Sequence, residues 1–181
     1  MHTQARLELP PSTTVRVWDP LVRLCHWMLA AGFVAAFVSE EGDLTHQVAG
    51  YIAAGAVLIR LAWGFIGSAH ARFSSFVPSP RQLVDHLHDM LHGRDRRYVG
   101  HNPAAGAMAI NLLGLVLVLG VTGWMLTTDQ YYGQEWLEVV HEGAAYLGLG
   151  LVCMHVAAAL YESVRHRENL PWAMVTGQKR S

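Results

Sequence analysis

Charge is scarce in this sequence, and the places it is missing from decide what kind of protein the chain can be. Only 15% of the 181 residues are Asp, Glu, Lys or Arg, while 52% are apolar, outside the balance usual in soluble domains. No formally charged side chain lies between Arg23 and Glu40, from Leu44 to Ile59, from Tyr98 to Thr128 or from Gly143 to Tyr161. Extended a few residues into their flanks, these blocks approach the ~20 apolar residues that cross a bilayer as a helix. The expected spans are 21–39, 45–66, 104–126 and 137–161. A soluble four-helix bundle would carry a polar stripe along every helix, and these blocks have none. The expected fold class is therefore all-α, an integral membrane four-helix bundle, with the whole chain, 1–181, as its single domain.

Basic residues are absent from the two short loops at 40–44 and 127–136. Arg6, Arg16 and Arg23 precede the first span, and Arg60, Arg72, Arg81, Arg94, Arg96 and Arg97 lie at or beyond the end of the second. Arg165, Arg167, Lys179 and Arg180 follow the fourth, so all thirteen basic residues fall on one side. The positive-inside rule places both termini and the 67–103 loop in the cytoplasm. The opposite face carries Glu40, Glu41, Asp43, Asp129, Glu135, Glu138 and Glu142, so the chain is polarised despite a net charge of −1. Trp18, Trp63 and Trp172 mark the inner boundary and Tyr131, Tyr132 and Trp136 the outer one, as aromatic belts do.

No cleavable signal peptide is expected, since the first twenty residues hold no apolar core followed by a small-residue cleavage site. The first span is expected to act as the insertion signal. Cysteine is nearly absent, and neither Cys25 nor Cys153 belongs to a C-x-x-C-H, so covalent c-type haem attachment is not supported. Both read as small packing residues near the inner face, where a reducing cytoplasm disfavours disulfides.

Histidine is what the spans do contain. His26, His46, His141 and His155 sit at membrane-edge depth, where an ionisable group is rare and usually functional. The first span enters from inside, so His26 is shallow on that side. The second and fourth enter from outside, which puts His46 and His141 near the outer face and His155 near the inner. Depth therefore pairs His26 with His155 and His46 with His141. Fourteen helical residues separate His141 from His155, a rise of ~21 Å with a rotation that returns to within about 40°. Both imidazoles thus face one side of the fourth span, as two stacked bis-histidine haems require. A zinc or copper site would instead gather its ligands at one depth, with thiolate or carboxylate partners.

Haem propionates call for cations, and Arg60, Arg23 and Arg72 are the candidates on the inner side, Arg60 first. Outside, only hydroxyls and amides such as Ser39, Thr45, Tyr131, Tyr132 and Gln134 are available. Gly32, Gly50, Gly106, Gly114, Gly120, Gly123, Gly143, Gly148 and Gly150 lie in the spans, where they serve either flat macrocycles or close helix packing. In the long inner loop, Ser79-Pro80-Arg81-Gln82 reads as a capping box. It opens a short cytoplasmic amphipathic helix whose His86, His88 and His92 read as solvated surface residues.

The stretches VWDPLVRLCHW (17–27), RLAWGFIGSAHARF (60–73), GHNPAAGAM (100–108) and HRENLPWAMVTGQKR (166–180) resemble the prokaryotic cytochrome b561 family, which includes di-haem cytochrome b subunits of nickel–iron hydrogenases. The resemblance covers nearly the whole chain. It implies a four-helix core in a bacterial inner membrane, holding two haem b groups, with iron ligands from the first, second and fourth helices. Carried over, these are His26, His46, His141 and His155, in agreement with the depth argument. It also implies electron exchange between membrane quinone or quinol and a redox partner, here a periplasmic c-type cytochrome or a redox enzyme subunit, with no nucleic-acid partner. A hydrogenase-like complex and a superoxide:quinone oxidoreductase are variants of that reading. A haem-free proton-coupled transporter is the rival from another class, and it would place ionisable groups near the midplane. The midplane here is apolar.

Overall fold

The computed structural model describes residues 14–181, so Arg6 and the chain before Thr14 lie outside the described residues. A short strand, β1 (Thr14–Arg16), leads into α1 (Pro20–Val38). Helices begin where a side chain can receive the orphan N–H groups of the first turn. Asp19 does so for α1, accepting from the Val22 N–H at 2.9 Å. Asp43 does so for α2 (Leu44–Ile66). A single turn, α3 (Phe73–Phe76), is followed by α4 (Pro80–Leu91), where the Ser79–Gln82 capping box closes as the sequence implies. Asn102 opens α5 (Pro103–Leu126) by accepting from the Ala105 N–H at 2.7 Å. α6 (Glu135–Arg165) and α7 (Leu170–Thr176) precede the last strand, β2 (Gln178–Arg180).

Among the described residues, four helices, α1, α2, α5 and α6, are long and apolar enough to cross a membrane. Three match the expected spans within a residue or two at either end. The fourth does not stop at 161 but runs on to Arg165. Its 31 residues reach about 46 Å, well beyond a ~30 Å hydrocarbon core. The extra turn, carrying Glu162 and Arg165, is therefore water-side helix. Along the flanks, Val38, Leu44, Phe65 and Ile66 are 72–77% exposed, an apolar perimeter suited to lipid rather than water.

Small residues set the packing. Gly32, Ala49, Ala53 and Ala56 are buried between α1 and α2, and a Cβ on Gly32 would lie 2.9 Å from the Ala49 carbonyl oxygen. Gly120 brings α5 equally close to Ala54 of α2. α6 packs along α5 but stands back from α1 and α2, leaving an interval that the histidines cross.

Both described chain ends meet on one face. β1 pairs antiparallel with β2 in the register Thr14↔Arg180, Val15↔Lys179, Arg16↔Gln178. Val17, Trp18, Val22, Ala71 and Ala173 form a core beneath this ladder, with Trp63 and Met174 against it. Gly177, at φ 80°, turns the chain out of α7 so that its carbonyl can accept from the Val17 and Trp18 N–H groups. Glu168 binds Arg97 at 3.1 Å, the Arg180 N–H at 2.9 Å and Lys179 at 3.7 Å. Burial pushes the Glu168 carboxyl up, but these donors outweigh it and hold the group below its ordinary range. The segment after Pro171, too short for a domain of its own, is thus a structural cap. Trp18 and Trp63 serve that cap rather than a lipid-facing belt, whereas Trp172 and Trp136 are exposed.

Candidate functional site

The four span histidines meet in two pairs at two levels. On the face holding the 39–43 and 127–134 connections, His46 opens α2 beside the end of α1. Its Nδ1–H donates to the Ala36 carbonyl at 2.9 Å. Opposite, His141 of α6 lies 2.8 Å from Thr122 Oγ1, whose own hydroxyl donates to the Val118 carbonyl at 2.8 Å. With its hydroxyl proton directed at Val118, Thr122 accepts from His141, an assignment that places the ring proton on Nδ1 as well. In this tautomer both rings leave Nε2 unprotonated. Their centroids are 6.1 Å apart at an interplanar angle of 60°. Gly123 makes room for this arrangement, since a Cβ there would come within 3.1 Å of the His141 ring.

Toward the terminal face, His26 of α1 and His155 of α6 approach with centroids 6.4 Å apart at 51°. His26 Nδ1 is buried without a hydrogen-bond partner, and the ring sits edge-on to Trp27. α6 contributes one member to each pair, from positions fourteen residues apart.

A family model described as prokaryotic cytochrome b561 matches residues 17–177. The chain belongs to that family. Among curated relatives, the cytochrome is 24% identical to a probable Ni/Fe-hydrogenase B-type cytochrome subunit of Bradyrhizobium diazoefficiens, over 92% of this chain and 86% of that one. It is 25% identical to the like-named protein of Rhodobacter capsulatus, over 92% and 82%, and 27% identical to that of Azotobacter vinelandii, over 91% and 88%. No solved structure gives a significant match.

A b-type cytochrome implies haem b, and the histidines fit it. Two imidazoles sharing one metal through bonds of about 2 Å hold their centroids about 6 Å apart, close to the spacing of both pairs. The Nδ1 hydrogen bonds of His46 and His141 are the outer partners that commonly orient a ligating imidazole.

The candidate propionate cations differ in setting. Arg60 is 7% exposed. One Nη donates to the Ala71 carbonyl at 3.0 Å, and the guanidinium lies 5.6 Å from the Phe73 and Phe76 ring centres. Its other Nη is buried without a partner, so an anion arriving there would meet a free donor. Arg23 is directed at the cap, donating to the Val175 carbonyl. Arg72 is exposed on the segment before α3.

Other residues reveal their setting only in three dimensions. His101 is packed between Trp18 and Phe76, with ring centroids at 4.7 and 4.6 Å, and its Nδ1 is buried without a partner. Burial, with the charges of Arg60 and Lys179, pushes its imidazole down to about 3, so it is neutral at physiological pH. His86 is a correction: it is 5% exposed and edge-on to Tyr98, not solvated, while His88 and His92 are exposed. The only cue to Thr122 was a hydroxyl in a helix whose one other polar side chain is Asn111. The Trp63 indole N–H and the Ser68 hydroxyl both donate to Asp19 Oδ2, at 3.0 and 2.6 Å. Burial pushes the Asp19 carboxyl up, but these bonds and that from Val22 prevail and hold it low. Cys25 is buried and Cys153 exposed, both as free thiols.

Proposed function

We propose that this cytochrome carries electrons across a bacterial inner membrane, with both termini cytoplasmic, using two b haems ligated by His26 with His155 and by His46 with His141. The observation that carries the reading is the spacing of the two histidine ring pairs, 6.4 and 6.1 Å, at opposite ends of one helix. Haem iron supplies reversible one-electron chemistry. The protein's own residues do the rest. Ala36 and Thr122 hold the outer imidazoles with Nε2 free for the metal. Arg60, with Arg23 and Arg72 as further candidates, offers positive charge to propionates on the inner side. Between the two levels, residues 27–37, 48–59, 108–124 and 144–154 contain no Asp, Glu, Lys, Arg or His. A proton relay would need such groups, so the interval suits electrons and not protons.

The exchange partners belong to the same reading: membrane quinone or quinol, and a periplasmic c-type cytochrome or redox enzyme subunit. Glu40, Glu41, Asp43, Asp129, Glu135, Glu138 and Glu142 are all exposed on the outer face, which favours a partner with a basic docking surface by electrostatic steering. A second reading, that the redox partner is a hydrogenase, is favoured by the names its relatives carry. The alignment to the first relative runs to 212 positions against the 181 residues of this chain, so that protein has insertions absent here.

Pyridine haemochrome analysis of the purified protein should give two b haems per chain. His155→Ala and His141→Ala should each leave one. Retention of both haems in either variant would refute the pairing, and absence of haem from the native protein would reject the whole reading. Copurification with hydrogenase subunits, set against reduction by a c-type cytochrome, separates the partners.

A further inference from the structure

Where α6 emerges beyond the bilayer, three side chains converge away from the span histidines. Asp95 comes from the segment between α4 and α5, Glu162 from the last turn of α6, and His166 from the residue after it. His166 Nε2 lies 3.2 Å from Asp95 Oδ2 and 3.2 Å from Glu162 Oε2, and the three donor atoms all lie within 4.8 Å of one another. The Asp95 side chain is completely buried, at 0% exposure, and those of Glu162 and His166 are 14% and 16% exposed.

The pattern of unmet contacts is what points to a ligand. Asp95 Oδ2 and His166 Nε2 are buried with no hydrogen-bond partner, as is Glu162 Oε1. Arg165 accounts for the other Asp95 oxygen, donating to Oδ1 at 3.1 Å and to the Gly93 carbonyl at 2.7 Å, and so leaves Oδ2 turned toward the cluster. Although close, the imidazole and the carboxylates do not form a hydrogen bond. A protonated His166 would form ion pairs with both carboxylates; with the imidazole neutral, two carboxylate oxygens and a ring nitrogen face one another as electron-pair donors that a common cation would join. Their spacing suits one: an ion with bonds of about 2.1 Å in tetrahedral geometry puts adjacent ligand atoms about 3.4 Å apart.

We propose that Asp95, Glu162 and His166 form a binding site for one divalent ion of the zinc class. An imidazole donor with two carboxylates favours zinc over magnesium or calcium, which prefer oxygen alone. Three protein ligands leave a fourth position for water. The ion ties the segment before α5 to the end of α6, next to the Glu168–Arg97–Lys179 cluster that holds the terminal cap. This tie between segments does not depend on the span histidines binding haem.

The test uses tag-free, haem-loaded protein in detergent, dialysed against Zn2+ and assayed for zinc and iron by mass spectrometry. About one zinc per chain is expected. Glu162→Gln and His166→Gln should each weaken its binding at least about tenfold with iron content unchanged, while His88→Ala/His92→Ala, which removes the exposed histidine pair of α4, should retain it. Native protein that binds no more zinc than Glu162→Gln, or loss of the zinc in the α4 double variant, would overturn the site. A second measurement covers variants that fail to fold. Zn2+ added to the native protein should slow amide exchange in 93–97 and 163–169, and unchanged exchange there would also overturn it.

Discussion

Thr122→Val offers a sharp test of how the outer histidine pair is held. Valine preserves the shape of a side chain that is 8% exposed but removes the oxygen 2.8 Å from His141 Nδ1. The imidazole N–H then has no acceptor at that position. A hydrogen bond of this kind contributes about 1 kcal/mol net. It strengthens donation from the ligating nitrogen and so favours the more positive, oxidised iron. If the whole bond were lost to the oxidised state alone, the midpoint potential of that centre would rise by about 40 mV, from ~59 mV per tenfold change in a one-electron equilibrium. Redox potentiometry on the haem α-band should thus resolve two components in the native protein and show the upward shift in only one of them. Thr122→Ser should restore the native value. Unmoved potentials with full haem content, or equal movement of both, would refute the argument that Thr122 acts through His141.

Three further outcomes are expected. Arg60→Ala, which removes a buried hydrogen bond to Ala71 and two aromatic contacts, should lower stability by about 2–3 kcal/mol, seen as earlier thermal release of haem; Arg60→Lys should recover only part of it. Gly32→Leu must force α1 from the Ala49 carbonyl and should destabilise by about 1–3 kcal/mol, with His46 losing its Ala36 partner; a denaturation midpoint equal to native would contradict the packing. Glu168 has a folded-state pKa below its ordinary value, so its stabilisation is complete above the unfolded value of about 4.3 and disappears as pH falls through the lower folded one. Amide exchange in 170–180 should accelerate over that acid range, and Glu168→Gln should show fast exchange already at neutral pH.

Depth along a membrane helix is nearly a linear function of residue number, because rise per residue is constant. That is why the pairing of His26 with His155 and His46 with His141 was legible before any coordinates, as were the spans, the capping box at Ser79 and the common face of His141 and His155. Direction around a helix axis is decided by neighbours, and it was less legible. His86 lies on an amphipathic helix whose Val84, Leu87 and Leu91 are exposed, and only the fold turns the histidine inward against Tyr98. The span glycines divide in the same way. Gly32, Gly106, Gly120 and Gly148 have close neighbours, while Gly50, Gly114, Gly143 and Gly150 face open space; nothing in their local sequence separates the two groups.

The chain's own order of residues determined that it crosses a membrane with basic and acidic faces opposed, because hydrophobic length and charge act locally, residue by residue. It determined as well which imidazoles share a level. Tertiary structure alone decided that Thr122 orients His141, that His101 lies between Trp18 and Phe76, and that Asp95 meets Glu162 and His166. Those are encounters between segments distant in sequence, and their partners are selected by how the helices and the terminal cap pack, which no local pattern encodes.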